Sequence, residues 1–210
     1  MILAIEASSG DPSLAIMADG GALLGGEGWR SAHLQPGDLL PRLMGLLQRS
    51  GRRLDQVSIV AVGLGPGSFT GLRVGLGLAK GLALGLGCRL VGIPSLVAWL
   101  ASEPDAVAAM SRAGASQAYL LMRHDPAPRI VGREVVAGFV EGGPLVAPSE
   151  LASAFGLSGS RPPLRAAEAL ARLAAERLIG MPDGDDLARL EPIYLMPPRG
   201  LPADPPPTAR

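Results

Sequence analysis

Several residue types are scarce in this chain of 210 residues. It has one cysteine, Cys88, and two histidines, His33 and His124. A single cysteine cannot form an intramolecular disulfide, and neither histidine has a partner residue at the spacing of a known metal-binding motif. The sequence therefore excludes a disulfide framework and a cysteine-based zinc site, and it predicts no metal ligands.

The chain also lacks an excess of positive or negative charge. Nineteen Lys and Arg balance nineteen Asp and Glu, and Lys80 is the only lysine. This balance argues against a domain that holds nucleic acid by bulk electrostatics. The start of the chain lacks the basic segment of a signal peptide. Lys80, Arg89 and Pro94 interrupt the most hydrophobic stretch, residues 74–100, before it reaches the length of a membrane span. We expect a cytoplasmic protein without membrane association.

Glycine and proline, in contrast, are abundant, with 29 and 20 residues respectively. Because 48% of the residues are apolar and 18% are charged, the composition is the opposite of a disordered chain. The prolines concentrated after residue 196 predict a disordered tail over residues 197–210. We expect an N-terminal subdomain over residues 1–100 and a smaller C-terminal subdomain over residues 101–196.

Apolar runs, turn residues and helical periodicity predict the order of the elements. In the first half the strands are residues 2–7, 14–17, 22–29, 57–62 and 89–93, and the helices are residues 39–47, capped by Gly51, 70–86 and a third from Pro94. In the second half the strands are residues 106–110, 118–123, 130–139 and 192–195, and the helices begin at Pro148 and span residues 164–179. This order predicts an α/β fold with mixed sheets flanked by helices.

The most distinctive local feature is a glycine-rich turn between a strand and a helix. Its candidate phosphate-loop residues are Gly65, Gly67, Ser68, Thr70 and Gly71. Backbone N–H groups at such a turn, together with the helix N-terminus, can hold a phosphate. Ser68 or Thr70 can equally cap the helix, and the spacing fits neither a Rossmann fingerprint nor a Walker A loop. The pattern alone favours a structural turn.

The helix that follows is apolar on two sides. Leu72, Leu76, Ala79 and Ala83 share one face; Val74, Leu78 and Leu82 lie on the other side near a stripe of glycines, and Arg73 and Lys80 share a narrow strip. A helix of this kind has to be covered on both sides. We expect the sheet on one side and another chain on the other. A fully internal helix is the alternative.

Glu6 ends the first predicted strand, beside Ser8 and Ser9. In an ATPase a carboxylate at this position could orient a water molecule or a metal ion. The alternative, an ordinary exposed residue at the end of a strand, is favoured by the sequence alone.

Two stretches resemble a specific family. They are Gly65-Pro66-Gly67-Ser68-Phe69-Thr70-Gly71-Leu72-Arg73-Val74-Gly75 and Ala79-Lys80-Gly81-Leu82-Ala83. These two stretches resemble the TsaB (YeaZ) family, whose members are bacterial partner subunits in the synthesis of threonylcarbamoyladenosine on tRNA. Residues 2–8, 92–96 and 192–195 match as well. The resemblance implies an actin-like, sugar-kinase-like ATPase fold of two related subdomains, the second one reduced.

The resemblance also implies partners and a pairing surface. Members form homodimers, pair with the catalytic homologue TsaD, are joined by the ATPase TsaE and reach tRNA through that complex. ATP or ADP and metal are then expected on the partner subunits, and no cofactor on this chain alone. The pairing surface carried over from the family consists of His33, Leu40, Leu43, Met44, Leu47, Leu72, Arg73, Gly75, Leu76, Ala79, Lys80 and Ala83.

One region departs from the family pattern. Members often have Asp-Ala-Arg before a strand with Gly-Glu-Val-Tyr, whereas residues 110–119 keep only Arg112 and Tyr119 and lack both acids. The resemblance therefore predicts a non-catalytic subunit for tRNA modification. The alternative is an active ATPase or small-molecule kinase of the same fold, which needs carboxylates at both phosphate loops to hold Mg²⁺.

Overall fold

Two mixed β-sheets form the framework of the protein in a computed structural model that describes residues 1–31, 37–139 and 143–194. The strands of the first sheet are β1 (Ile2–Glu6), β2 (Ser13–Met17), β3 (Leu23–Gly28), β4 (Ile59–Gly63) and β5 (Arg89–Ile93). Their order is β3-β2-β1-β4-β5, with β1 antiparallel to β2 and parallel to β4. Every residue of β1, β2 and β4 is buried, as their continuous apolar runs predict for strands covered on both faces.

The second sheet repeats the topology of the first without its last strand. Its strands are β6 (Ala108–Arg112), β7 (Gln117–Met122), β8 (Arg129–Gly132) and β9 (Leu145–Val146). Their order is β8-β7-β6-β9, with β6 antiparallel to β7 and parallel to β9. Two related sheets, one of them shorter, confirm the predicted α/β class with a reduced second half.

Helices cover both faces of the first sheet. The α-helices of the described residues are α1 (Leu39–Arg49), α2 (Phe69–Leu86), α3 (Ser95–Ser102), α4 (Arg133–Phe139), α5 (Ser149–Phe155) and α6 (Ala166–Gly180), of which α4 and α5 pack against the second sheet. Helices α1 and α2 bury leucine and alanine side chains on one face of the sheet, and α6 covers the other face with Ala167, Leu170 and Ala174. Thus α6, which follows the second sheet in the chain, packs against the first.

Helix α2 is long and apolar enough to cross a membrane by length and composition, and among the described residues it is the one helix that meets this test. Its face of Leu72, Leu76 and Ala79 is nevertheless buried in the protein core. Such packing is typical of the core helix of a globular domain.

Two predicted strands are corrected. Residues 130–139 form only the end of β8, and the chain then turns into α4. The pairing of β8 with β7 ends where the N–H of Arg133 donates to the carbonyl of Ser116, 3.1 Å away. The short apolar run that follows fits the periodicity of a strand and that of a helix equally well. The described part of residues 192–195 contains no strand, although the N–H of Ile193 bonds to the carbonyl of Leu64 at 2.8 Å. Residues 197–210 lie outside the described residues.

Candidate functional site

Glu6 lies at the end of β1, beside the glycine turn, and is fully buried. Its side chain is 0% exposed, so the expected exposed strand end is wrong. One carboxyl oxygen accepts hydrogen bonds from the N–H and the hydroxyl of Ser8, while the other has no partner within hydrogen-bond geometry. Desolvation by burial raises the pKa of Glu6, against the lowering effect of the bonds from Ser8. The carboxyl group is therefore stabilised in its neutral form.

The glycine turn uses its backbone amides within the chain. The N–H of Gly65 donates to the hydroxyl oxygen of Ser95 at 2.9 Å, and the N–H of Ser68 donates to the carbonyl of Ser8 at 2.6 Å. The hydroxyl oxygen of Ser68 accepts from the N–H of Gly71 at 3.2 Å, which makes Ser68 the N-cap of α2. These bonds support the structural-turn alternative, because three of the donors that would face a phosphate already have acceptors.

Two glycines of the turn are required by close packing on the end of β1. A Cβ atom at Gly67 would collide with the carbonyl oxygen of Ser8, and one at Gly71 would collide with that of Ala7. Gly65 has a φ of +90°, a conformation that favours glycine. The turn is thus fastened to β1 along its length. Thr70 is exposed at the start of α2.

The loop between β1 and β2 is connected to the start of α5 by a clasp of four residues, Gly10, Asp11, Ser149 and Glu150. Asp11 is buried, and its carboxylate accepts from the N–H of Ser149 at 2.6 Å and from its hydroxyl at 3.1 Å. The N–H of Gly10 donates to the carboxylate of Glu150 at 3.2 Å. The carboxylate of Glu150 therefore occupies one backbone amide of this loop.

A second bond ties the glycine turn to β6. The buried hydroxyl of Ser111 donates to the carbonyl of Pro66 at 2.8 Å. The two residues of this region that match the family pattern point elsewhere: Arg112 donates to the carbonyl of Gly114, and Tyr119 lies in a core cluster beside Trp99. Among the described residues, no group of three or more His, Cys, Asp or Glu could hold a metal ion.

The residues predicted for the pairing surface fall into two groups. Seven of them are buried inside the protein: Leu43, Leu47, Leu72, Gly75, Leu76, Ala79 and Ala83. The regular apolar face of each helix rests on the sheet, so the chain itself covers these seven residues, and pairing through α1 and α2 stays a prediction. Leu40, Met44, Arg73 and Lys80 remain at least partly exposed. His33 lies outside the described residues.

Three exposed apolar residues near this surface are not predicted by the sequence pattern. Phe69 and Tyr194 stack with ring centroids 5.6 Å apart, and the guanidinium of Arg73 lies 4.1 Å from the centroid of the Phe69 ring. Leu84 is 78% exposed near the end of α2. The scarcity of aromatics in the chain, at 3% of residues, is a signal that could have drawn attention to Phe69 and Tyr194.

The amino-acid sequence of the chain is similar to proteins of tRNA modification. Residues 36–134 match the model of the family described as TsaD, tRNA N6-adenosine threonylcarbamoyltransferase. The chain is 35% identical over 96 residues to the tRNA threonylcarbamoyladenosine biosynthesis protein TsaB of Escherichia coli, covering 46% of this chain and 41% of the relative. It is 43% identical over 60 residues to the protein of that name in Haemophilus influenzae, covering 29% of this chain and 25% of the relative. The matched segments thus span less than half of these curated relatives.

A solved structure extends the similarity to the whole fold. YeaZ from Pseudomonas aeruginosa superposes with a TM-score of 0.70 and 25% identity, covering 92% of this chain and 99% of the other. The chain is therefore similar to TsaB (YeaZ) proteins in fold over most of its length and in sequence over a little less than half of it. The predicted actin-like fold is confirmed with it, and the repeated sheet topology shows how its two halves correspond.

Proposed function

We propose that the chain takes part in threonylcarbamoyladenosine formation on tRNA as a subunit without a catalytic site of its own. The names of the matched relatives supply the pathway. The observation that carries the non-catalytic role is the sealed carboxyl group of Glu6, which is 0% exposed and accepts hydrogen bonds from the N–H and the hydroxyl of Ser8. A group so enclosed cannot reach a substrate, a water molecule in the cleft or a metal ion.

The alternative of an active ATPase or kinase finds no support in this geometry. Magnesium-dependent phosphoryl transfer needs carboxylates that face the phosphates. Glu6 is enclosed, the amide of Gly10 is bonded to Glu150, and the loop after β6 lacks the expected acids. We therefore propose that the isolated chain hydrolyses no ATP, and that nucleotide and metal belong to its partner subunits.

We further propose that α1 and α2 carry the pairing surface, for a homodimer of the free chain and for the catalytic homologue TsaD, with the ATPase TsaE joining the complex. Leu40 and Met44 of α1 are 44% and 46% exposed, and they are the apolar members of the predicted surface that remain accessible. The chain would then reach tRNA through its partners, in the cytoplasm.

The test is co-expression with the transferase subunit of the same organism, followed by size-exclusion chromatography with mass measurement. Met44→Asp should weaken the affinity for the transferase subunit by at least about tenfold, because a carboxylate replaces an apolar contact of the surface. The variant should then co-elute less than the wild-type chain. The level of threonylcarbamoyladenosine in tRNA, measured by mass spectrometry of nucleosides, should fall in cells that are depleted of this protein.

Val135→Asp on α4 is the matched control, since Val135 is also 46% exposed but lies outside the two helices. It should leave co-elution and the modified nucleoside unchanged. If the wild-type chain never co-elutes with the transferase subunit, or if the two variants behave alike, the pairing surface proposed here is wrong.

A further inference from the structure

An apolar groove of about 410 Å³ lies between α3, β7 and the loop that follows β7. This volume falls in the range of about 300–1,000 Å³ that is typical of ligand-binding clefts. The residues that line the groove include Pro66, Pro94, Val97, Leu121, Pro126 and Pro128. Val97 is 40% exposed, so the described residues leave apolar surface of the groove open to solvent.

The groove has no excess of charge among its described lining residues. The two charged residues in that lining are Arg123 and Asp125, which have opposite signs. The guanidinium of Arg123 is already held by three backbone carbonyls, those of Leu100, Glu103 and Ala106, at 2.7–3.1 Å. The occupant that fits such a groove is therefore an apolar segment, selected by contact area and not by charge.

The last described residues of the chain lie at the wall of this groove. Ile193 lines it, and the N–H of Ile193 donates to the carbonyl of Leu64 at 2.8 Å. The next residue, Tyr194, stacks on Phe69. These contacts fix the chain beside the groove, so the sixteen residues 195–210 start within two residues of its wall.

The segment that starts there has a composition that suits an apolar groove. Residues 195–202 read Leu-Met-Pro-Pro-Arg-Gly-Leu-Pro, of which three are proline and three are leucine or methionine. Proline-rich segments favour an extended conformation of about 3.1 Å per residue, and they lose little conformational entropy when they bind. Eight residues of this kind reach about 25 Å, which is enough to cross a groove of this volume.

We propose that residues 195–202 fold back into this groove and cover it within the same chain. Because the segment is joined to Ile193 through one residue, its local concentration at the groove is on the order of millimolar. Modest apolar contacts are then enough to hold it there. The expected disordered tail would begin only after residue 202. This docking is independent of the function proposed above.

The bond between Arg199 and Gly200 is a cleavage site for trypsin inside this segment. Its cleavage removes residues 200–210 and can be followed by mass spectrometry of the full chain. The full chain should be cut there at least about tenfold more slowly than a free peptide of residues 195–210, because the rate follows the population of the undocked form. Val97→Gln should bring the rate close to that of the peptide. Val135→Gln is the matched control, since Val135 is 46% exposed on α4 and does not line the groove.

A change in the segment itself is the second test, and it leaves both sheets intact. Met196→Ser/Leu201→Ser should raise the cleavage rate, relative to a peptide with the same changes, as much as Val97→Gln does. The two changes together should add little, because they remove the same contact. In spectra of the chain labelled with ¹³C-methyl methionine, the signal of Met122, which lines the groove, should shift in this variant. The signal of Met17, buried in β2, should not.

Three results would overturn the docking of residues 195–202. The first is cleavage of the full chain at the rate of the free peptide. The second is equal protection in Val97→Gln and Val135→Gln, with an unchanged Met122 signal when the segment is altered. The third is protection that increases with protein concentration, because the segment of a second copy would then occupy the groove.

Discussion

Glu6 is the last residue of β1, and its burial has a consequence that can be measured. The carboxyl group has its raised pKa chiefly because burial removes it from water. In the unfolded chain the same group titrates near its ordinary value. Folding therefore binds a proton in the range between the two values, and the folded state loses stability there as the pH rises.

Glu6→Gln should remove this dependence. Below the pKa of the unfolded chain, glutamic acid is neutral in both states and costs nothing. Above it, each unit of pH costs up to about 1.4 kcal/mol until the folded-state pKa is reached. The amide stays neutral throughout, so the variant should gain stability relative to wild type as the pH rises through this window. Urea denaturation at several pH values measures the difference, and parallel curves for the two proteins would contradict the prediction.

At the scale of elements, the first sheet and its helices were largely predictable from the sequence, whereas their partners in space were not. Helix α2 begins at Phe69 and ends at Leu86, close to the predicted residues 70–86, because Ser68 caps one end and Gly87 adopts a φ of +61° after the other. Periodicity identified the face of Leu72 and Leu76 as one that must be covered. It could not tell whether the sheet or another chain covers that face, because both contacts have the same apolar pattern.

The burial of Glu6 in the candidate site could not be predicted from the sequence either. Glu6 was recognised as the strand-end carboxylate, but its exposure was predicted wrongly because the residues that enclose it come from distant parts of the chain. Ser8 is local, whereas Ser95 and Gly63 approach it only in the folded sheet. The bond between Asp11 and Ser149 joins residues 138 positions apart, and no local spacing predicts it.

Asp185 and Arg177 bond to the outer edge of strand β5. The carboxylate of Asp185 accepts from the N–H of Gly92 at 2.8 Å and from both terminal nitrogens of Arg177 at 2.8 Å, while the N–H of Asp185 donates to the carbonyl of Leu90 at 2.7 Å. The segment after α6 thus replaces a sixth strand at this edge.

Asp185→Ala should destabilise the protein by about 2–3 kcal/mol, because a buried amide and a guanidinium lose a charged acceptor. Hydrogen exchange at the amide of Gly92 should become faster, and urea denaturation should give the change in stability. The neighbouring Asp186 is the control: it is 57% exposed, pairs with the exposed Arg189 at 3.6 Å and accepts from the N–H of Ala188 at 2.8 Å. Asp186→Ala should cost less than about 1 kcal/mol, and equal effects of the two changes would contradict this account of the edge.

At the scale of the whole molecule, the two sheets repeat one topology, yet the cleft between the β1–β2 loop and α5 is closed by side chains of the chain itself. Asp11 reaches across to Ser149, and Glu150 reaches back to Gly10. Arg30, 3.8 Å from the carboxylate of Asp11, balances its charge from the exposed side. These bonds join the β1–β2 loop to α5 across the two halves of the chain.

Asp11→Ala should loosen that connection specifically. The N–H of Ser149, at the start of α5, would lose its acceptor, and the expected loss of stability is about 2–4 kcal/mol because the bonds are made to a buried carboxylate. Hydrogen exchange should become faster in residues 8–12 and 149–152 together, while the amides of α1 keep their protection. Ser149→Ala is the matched control, since it removes only the 3.1 Å hydroxyl bond and keeps the 2.6 Å bond from the backbone, and should cost about 1 kcal/mol. Should Asp11→Ala leave exchange in both segments at the wild-type rate, the clasp does not hold the two halves together, and the closed cleft needs another cause.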